Sequence, residues 1–366
     1  MRPSLHRTTR NVLKHASARS YCTRPPSVRH LMTIGDLTPA EFSRLILYAA
    51  AHKRAIKSGR GPNEIENRLR GQTVAMMFSK RSTRTRVSTE AAVAWMGGHP
   101  MFLGKDDIQL GVNESLYDTS KIISSMTSCI VARVGPHDDV VNLAKHSSVP
   151  VINALSNDFH PLQTIADFLT IYETFARNAL SSSPEAVVPA QLKVAWVGDA
   201  NNVLFDLAIG CIKLGVDIAV ATPTDYRIPE TMMAFIKEQA KTTTNPGTIS
   251  EYFVPEEAVK DADVIVTDTW VSMGQEEEAQ KRLKAFAGFQ VTEELAKRGG
   301  AKANWKFMHC LPRHLEEVSD EVMYGPRSLV FQEGENRLWA AIAALEGFVA
   351  DKGRLVWRST ERLLSR

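Results

Sequence analysis

The stretch "TVAMMFSKRSTRTRVSTEAAVAWMGG", residues 73–98, decides how the rest of the chain is read. Thr73 to Phe78 form a short apolar run, the pattern of a strand buried on both faces. Val87, Ala91, Ala94 and Trp95 then recur at helical spacing until Gly97 and Gly98 stop the helix. Further along, "CIVARV" and "VPVIN" predict strands, each followed by a loop and a helical pattern. A polar break at "ARNALSSSPEAVVPAQ" follows the helical "HPLQTIADFLTIYETF". Beyond it the pattern restarts, with "LKVAWVGD" as strand, "NNVLFDLAIGCIKLG" as helix, and "VDIAVATP", "DVIVTDTW" and "WKFMHC" as strands. The chain closes on the amphipathic "ENRLWAAIAALEGFVA". This alternation predicts an α/β fold class: two doubly wound parallel-sheet domains joined by interdomain helices, one of them beginning near Pro161. Open sheets of this kind bind ligands off the carboxyl ends of their strands, so chemistry is sought at the strand-to-loop junctions.

The chain has 366 residues, 44% of them apolar, enough for two cores. It contains no run of about 18 uncharged apolar residues, so no membrane span is predicted. Net charge is +3, but residues 1–35 hold six Arg, one Lys and no acid, which leaves −4 on the remainder. That mildly acidic bulk argues against a general nucleic-acid binder. The opening segment is rich in Arg, Ser and Thr and lacks the continuous apolar core of a secretory signal. It reads as a mitochondrial transit peptide over residues 1–28; a basic tail on a cytosolic protein would have the same composition. Cys22 falls within it, and Cys129, Cys211 and Cys310 show no CxxC spacing, as suits a reducing compartment such as the mitochondrial matrix.

At the first junction, "SKRSTRTR" places Lys80, Arg81, Arg84 and Arg86 among hydroxyls, between a strand end and a helix start. Free backbone N–H groups and the positive end of the helix dipole would hold a phosphate there from several sides. The loop lacks the glycines of a P-loop or a dinucleotide fingerprint, so neither ATP nor NAD is expected; a solvated basic turn is the plain alternative. In "FHPLQ", Pro161 suits the first helical position, which puts His160 at the cap and Gln163 one turn in. A His near a positive helix end tends to stay neutral and can donate to a carbonyl oxygen. "VGDANN" offers Gly198 without further glycines, and Asn201 and Asn202 with amides; capping the helix is the ordinary role for Asn201. In "TDTWVSMGQE" and "HCLPRH", Asp268 could fix an ammonium group, and Cys310 beside His309 could bind a metal or act as a nucleophile. No second Cys or His cluster stands at ligand spacing, so no metal and no other cofactor is expected.

Taken together, "STRTR" at 82–86, "HPLQ" at 160–163, "DTWVSMG" at 268–274 and "HCLPR" at 309–313 resemble the carbamoyltransferases, and within them the ornithine carbamoyltransferase family. The first two motifs are shared with the aspartate branch; the last two point to ornithine. The resemblance implies transfer of the carbamoyl group of carbamoyl phosphate to L-ornithine, giving L-citrulline on the way to arginine. It implies that Ser82, Thr83, Arg84 and Thr85 hold the phosphate, and that Arg133, His160 and Gln163 grip the carbamoyl end. Asn202, Asp268, Ser272 and Met273 match the ornithine contacts, and Cys310, Leu311 and Arg337 line the reaction centre beside carbamoyl phosphate. Arg133, His160, Asp268, Cys310 and Arg337 are then the catalytic candidates. The implied domains are 29–168 for carbamoyl phosphate and 169–344 for ornithine, with a closing helix at 345–366 packing back on the first. Family members are typically homotrimers that share active sites through a loop, here "DDIQLGVNES", in which Gln109 stands where many relatives have His. No nucleic-acid or membrane partner is implied. Three other readings remain open: a carbamoyltransferase for another amine, a nucleic-acid binder using residues 80–86, and a catalytically silent relative.

Overall fold

The computed structural model describes residues 28–59, 65–105, 107, 114–176, 187–189, 191–271 and 276–355. Its first half holds a four-stranded sheet of order β2-β1-β3-β4, formed by Thr73–Phe78 (β1), His99–Leu103 (β2), Cys129–Arg133 (β3) and Val151–Leu155 (β4). The second half holds a five-stranded sheet of order β7-β6-β5-β8-β9, from Lys193–Val197 (β5), Asp217–Ala221 (β6), Ile249–Tyr252 (β7), Val264–Thr267 (β8) and Lys306–His309 (β9). Every pairing is parallel. Parallel strands need crossover helices, and these bury both sheet faces, which is why the central strands read as unbroken apolar runs.

Six helices position the site: Pro39–Lys57 (α1), Thr83–Trp95 (α2), Leu116–Met126 (α3), His137–His146 (α4), Pro161–Ile171 (α5) and Asn202–Leu214 (α6). α5 is buried along its whole length, because it lies between the two halves instead of on a surface. A single core runs across the junction, with Phe42 of α1 meeting Phe168 of α5 edge-on at 5.2 Å. No helix among the described residues is long and apolar enough to cross a membrane.

The structure departs from the sequence reading at three places. α2 begins at Thr83, not near Val87, so the hydroxyl-rich segment is itself the first helical turn, capped by Ser82. Two strands, β2 and β7, had not been anticipated. The closing helix spans Val330–Leu345 and continues as one π-helical turn, Glu346–Ala350, instead of starting at 345. It packs on α5, α2 and α1, that is, on first-half elements. The proposed transit peptide (residues 1–27 of it), the loop carrying Gln109, the residues Ser272 and Met273, and residues 356–366 lie outside those described.

Candidate active site

β1 and β3 end side by side, with Phe78 paired to Arg133 and the Ser79 N–H donating to the Arg133 carbonyl at 2.9 Å. The loop after β1 is thereby brought to the end of β3, and α2 starts beside it. Ser82 accepts the Thr85 N–H at 3.3 Å, which leaves the first-turn amides of α2 facing the same region with the dipole behind them. The four cations of "SKRSTRTR" separate here. Arg86 pairs with Glu90 at 2.9 Å and covers the Phe102 ring, and Lys80 donates to Asn157 at 3.1 Å. Arg84 alone of them crosses to the second half, donating to the Leu311 carbonyl at 2.5 Å.

Arg84 joins two buried arginines. Arg337, from the closing helix, donates to Gln163 Oε1 at 2.5 Å and to Thr85 Oγ1 at 3.2 Å, and it lies 3.4 Å from His160 Nε2. Burial, then the Arg337 and Arg84 charges, lowers Arg133 to about 10; burial likewise lowers Arg337 to about 10. Both remain cations at neutral pH. His160 is held well below the usual imidazole range, by burial first and then by Arg337, Arg133 and Arg84. Its neutrality therefore comes from desolvation and neighbouring cations more than from the helix end proposed from sequence. With Nε2 facing a guanidinium donor, the proton sits on Nδ1. His160 Nδ1, Arg133 Nε and Arg337 Nε are buried without a hydrogen-bond partner among the described residues. Buried donors are ordinarily paired, so three such groups in one cluster fit an anionic or carbonyl-bearing ligand.

Across from this cluster the second half presents Asp268, at the end of β8. Its carboxylate accepts from Asn201 Nδ2 at 2.8 Å and from the Cys310 thiol at 3.0 Å. Burial and then the Asp268 charge push the Cys310 thiol well up, so it is a donor and not a thiolate nucleophile. Asp268, His309 and Cys310 offer ligand atoms within 4.8 Å of one another, so the structure adds Asp268 to the His309–Cys310 pair that the sequence singles out. Those atoms are committed within the protein: His309 Nδ1 accepts the Leu311 N–H at 2.9 Å and Nε2 faces Glu317 at 3.1 Å. Asn201 caps α6 through the Val203 and Leu204 N–H groups. Asn202 instead reaches back to the Ser156 carbonyl in the first half, at 2.5 Å. Leu311 takes a left-handed conformation, φ 61°, a strained choice for a non-glycine, in the turn whose carbonyl Arg84 holds.

Two neighbours escaped the sequence reading, Asp167 and Glu333, both fully buried beside Gln163. An acid inside the apolar run "TIADFLTI" was the available signal for the first.

The comparisons agree with this geometry. The family description "Aspartate/ornithine carbamoyltransferase, carbamoyl-P binding domain" matches residues 29–173, and its "Asp/Orn binding domain" counterpart matches 190–347. The chain belongs to the aspartate/ornithine carbamoyltransferase family. Within it the resemblance is to the ornithine carbamoyltransferases. A mitochondrial ornithine carbamoyltransferase of Aspergillus terreus is 64% identical over 94% of this chain and 95% of its own. One from Emericella nidulans is 65% identical over 94% and 99%. The crystal structure of a mitochondrial ornithine carbamoyltransferase from Coccidioides immitis superposes with a TM-score of 0.84 at 64% identity, over 90% of this chain and 100% of that one. The enzyme from Pyrococcus furiosus gives 0.79 at 41% identity, over 88% and 97%. As a member of this family the chain is a carbamoyl-transferring enzyme.

Proposed function

We propose that the protein transfers the carbamoyl group of carbamoyl phosphate to the δ-amine of L-ornithine, releasing L-citrulline and phosphate in arginine biosynthesis. The observation that carries this reading is the convergence of Arg84, Arg133, His160 and Arg337 in one buried cluster, opposite the Asp268–Cys310 pair of the other half. Ser82, Thr83, Arg84 and Thr85 hold the phosphate at the start of α2, with Arg84 offsetting its charge as it leaves. Arg133, Arg337 and the neutral His160 N–H stabilise the oxyanion that forms when the amine attacks, where fixed donors matter most. Gln163 and Leu311 contact the carbamoyl end, and Asn202, Asp268, Ser272 and Met273 hold ornithine. An amine with a pKa near 10 is mostly protonated at neutral pH, so it must lose a proton first; we assign the Asp268 carboxylate, which the Cys310 thiol hydrogen-bonds, to take that proton.

We assign residues 29–168 to carbamoyl phosphate and 169–329 to ornithine, with the closing helix from Val330 packing back on the first half. Holding two substrates in line accounts for much of the rate. The enzyme works as a homotrimer with Gln109 reaching a neighbouring site, in the mitochondrial matrix, to which residues 1–28 direct it; the relatives named mitochondrial support that location. The test is citrulline formation from carbamoyl phosphate with ornithine, putrescine, N-acetylornithine and aspartate offered in parallel. Turnover confined to ornithine is expected. Binding of carbamoyl phosphate without turnover of any of the four would overturn the assigned reaction.

A further inference from the structure

Gln163 has each end of its amide engaged from within the protein. Nε2 donates to Asp167 Oδ1 at 2.8 Å and to Glu333 Oε1 at 2.9 Å, while Oε1 accepts from Arg337 at 2.5 Å. The two ends of an amide have nearly the same shape, and only their partners decide which faces where. Turned over, this one would set its oxygen against two acids and its NH2 against a guanidinium. The acids come from different elements: Asp167 lies one turn beyond Gln163 on α5, and Glu333 one turn before Arg337 on the closing helix. Glu333 also accepts the His309 N–H at 2.9 Å through its second oxygen, tying the amide to the end of β9.

Both acids are almost wholly out of water, at 2% and 1% exposure. Apolar side chains of similar volume would pack there without the cost of desolvating carboxyl groups, so packing alone does not account for them. The two hydrogen-bond to each other, and burial pushes both up, Asp167 to about 7 and Glu333, with the Asp167 charge adding to burial, well above the usual carboxylate range. Two carboxyl oxygens accept from the Gln163 NH2, an arrangement that suits N–H donors and would repel the amide oxygen.

We propose that Asp167 and Glu333 are positioning residues that lock the Gln163 amide with its oxygen toward the substrate, so that the site selects a carbamoyl group, whose NH2 can donate to that oxygen, over an acetyl group of the same shape. This rests on the reading of carbamoyl phosphate as substrate. A site built around a hydrogen bond discriminates strongly against an analogue lacking it, because its own polar group is left unpaired.

The experiment compares carbamoyl phosphate with acetyl phosphate, measuring the dissociation constant of each for the full chain by calorimetry. Glu333→Gln keeps the shape, but both oxygens it replaces accept N–H groups, so its NH2 must oppose a donor. The preference of the parent for carbamoyl phosphate is expected to fall by about tenfold, with the affinity for acetyl phosphate little changed. Asp167→Asn can still accept from Gln163 and donate to Glu333, and should retain most of the preference. Should Glu333→Gln fail to fold, Asp167→Leu removes one of the two acceptors within α5 and should give the same loss. A parent that prefers carbamoyl phosphate, with folded variants showing an unchanged ratio, would overturn the lock alone. A parent with no preference would overturn the substrate reading, and the lock with it.

Discussion

His160 shows how the site is governed by desolvation. Its imidazole is fully buried among three arginines, so folding holds it neutral, whereas in the unfolded chain it takes up a proton near pH 6.5. Below that pH the unfolded state binds a proton that the folded state refuses, and stability must fall as pH falls. The contribution is up to about 1.4 kcal/mol per pH unit until the folded group itself titrates. Urea unfolding of the parent and of His160→Asn between pH 7.5 and 5.5 should show the parent losing stability faster; parallel curves would mean that His160 is not held neutral. At this scale the sequence was informative about residue type and silent about company. His160, Gln163 and the hydroxyls of "STRTR" could be singled out by their place at helix starts. That Arg337, far along the chain, would donate to both Gln163 and Thr85 could not, since no local pattern encodes a contact between remote helices.

At the scale of the element, Ser82 serves structure and site together. Its hydroxyl caps α2, and the turn it caps carries Thr83, Arg84 and Thr85. Ser82→Ala should cost about 1 kcal/mol of stability and also weaken carbamoyl phosphate binding, both measurable by thermal unfolding with and without the ligand. A variant that loses stability but binds as tightly as the parent would confine Ser82 to capping. The strands follow a related logic. β1, β3, β5, β6 and β8 have neighbours on both sides and were legible as apolar runs. β4 and β9 end their sheets but are flanked by the bridges Leu31–Ile152 and Phe307–Ser328, so they too stay apolar and were legible. β2 and β7 are the remaining outer strands, partly exposed, with a proline in the first; they lack the signal because their environment does not demand it.

At the scale of the molecule, the two halves are joined by buried polar contacts as well as by the core. Asp206 of α6, in the second half, accepts Thr33 Oγ1 at 2.6 Å, the Ile34 N–H at 2.9 Å and the His160 N–H at 2.8 Å. Three donors converge on one carboxyl group. Asp206→Asn must turn its NH2 toward one of them, so a loss of about 1–3 kcal/mol is expected, together with lower turnover because the His160 backbone loses its anchor. An unchanged melting temperature and kcat would remove this contact from both roles. Lys213 of the same helix donates to the Leu37 carbonyl at 2.5 Å, a second tie between the halves.

The sequence by itself determined the α/β class, the division into two sheet-bearing halves and the motif residues at the strand ends, because burial on both faces writes continuous apolar runs and helix starts demand particular caps. Only the tertiary structure decided which cations meet, that His160 is neutral through desolvation, and that the closing helix brings Glu333 and Arg337 to Gln163. Charge in a protein acts through distance and dielectric, and neither is written in the order of residues.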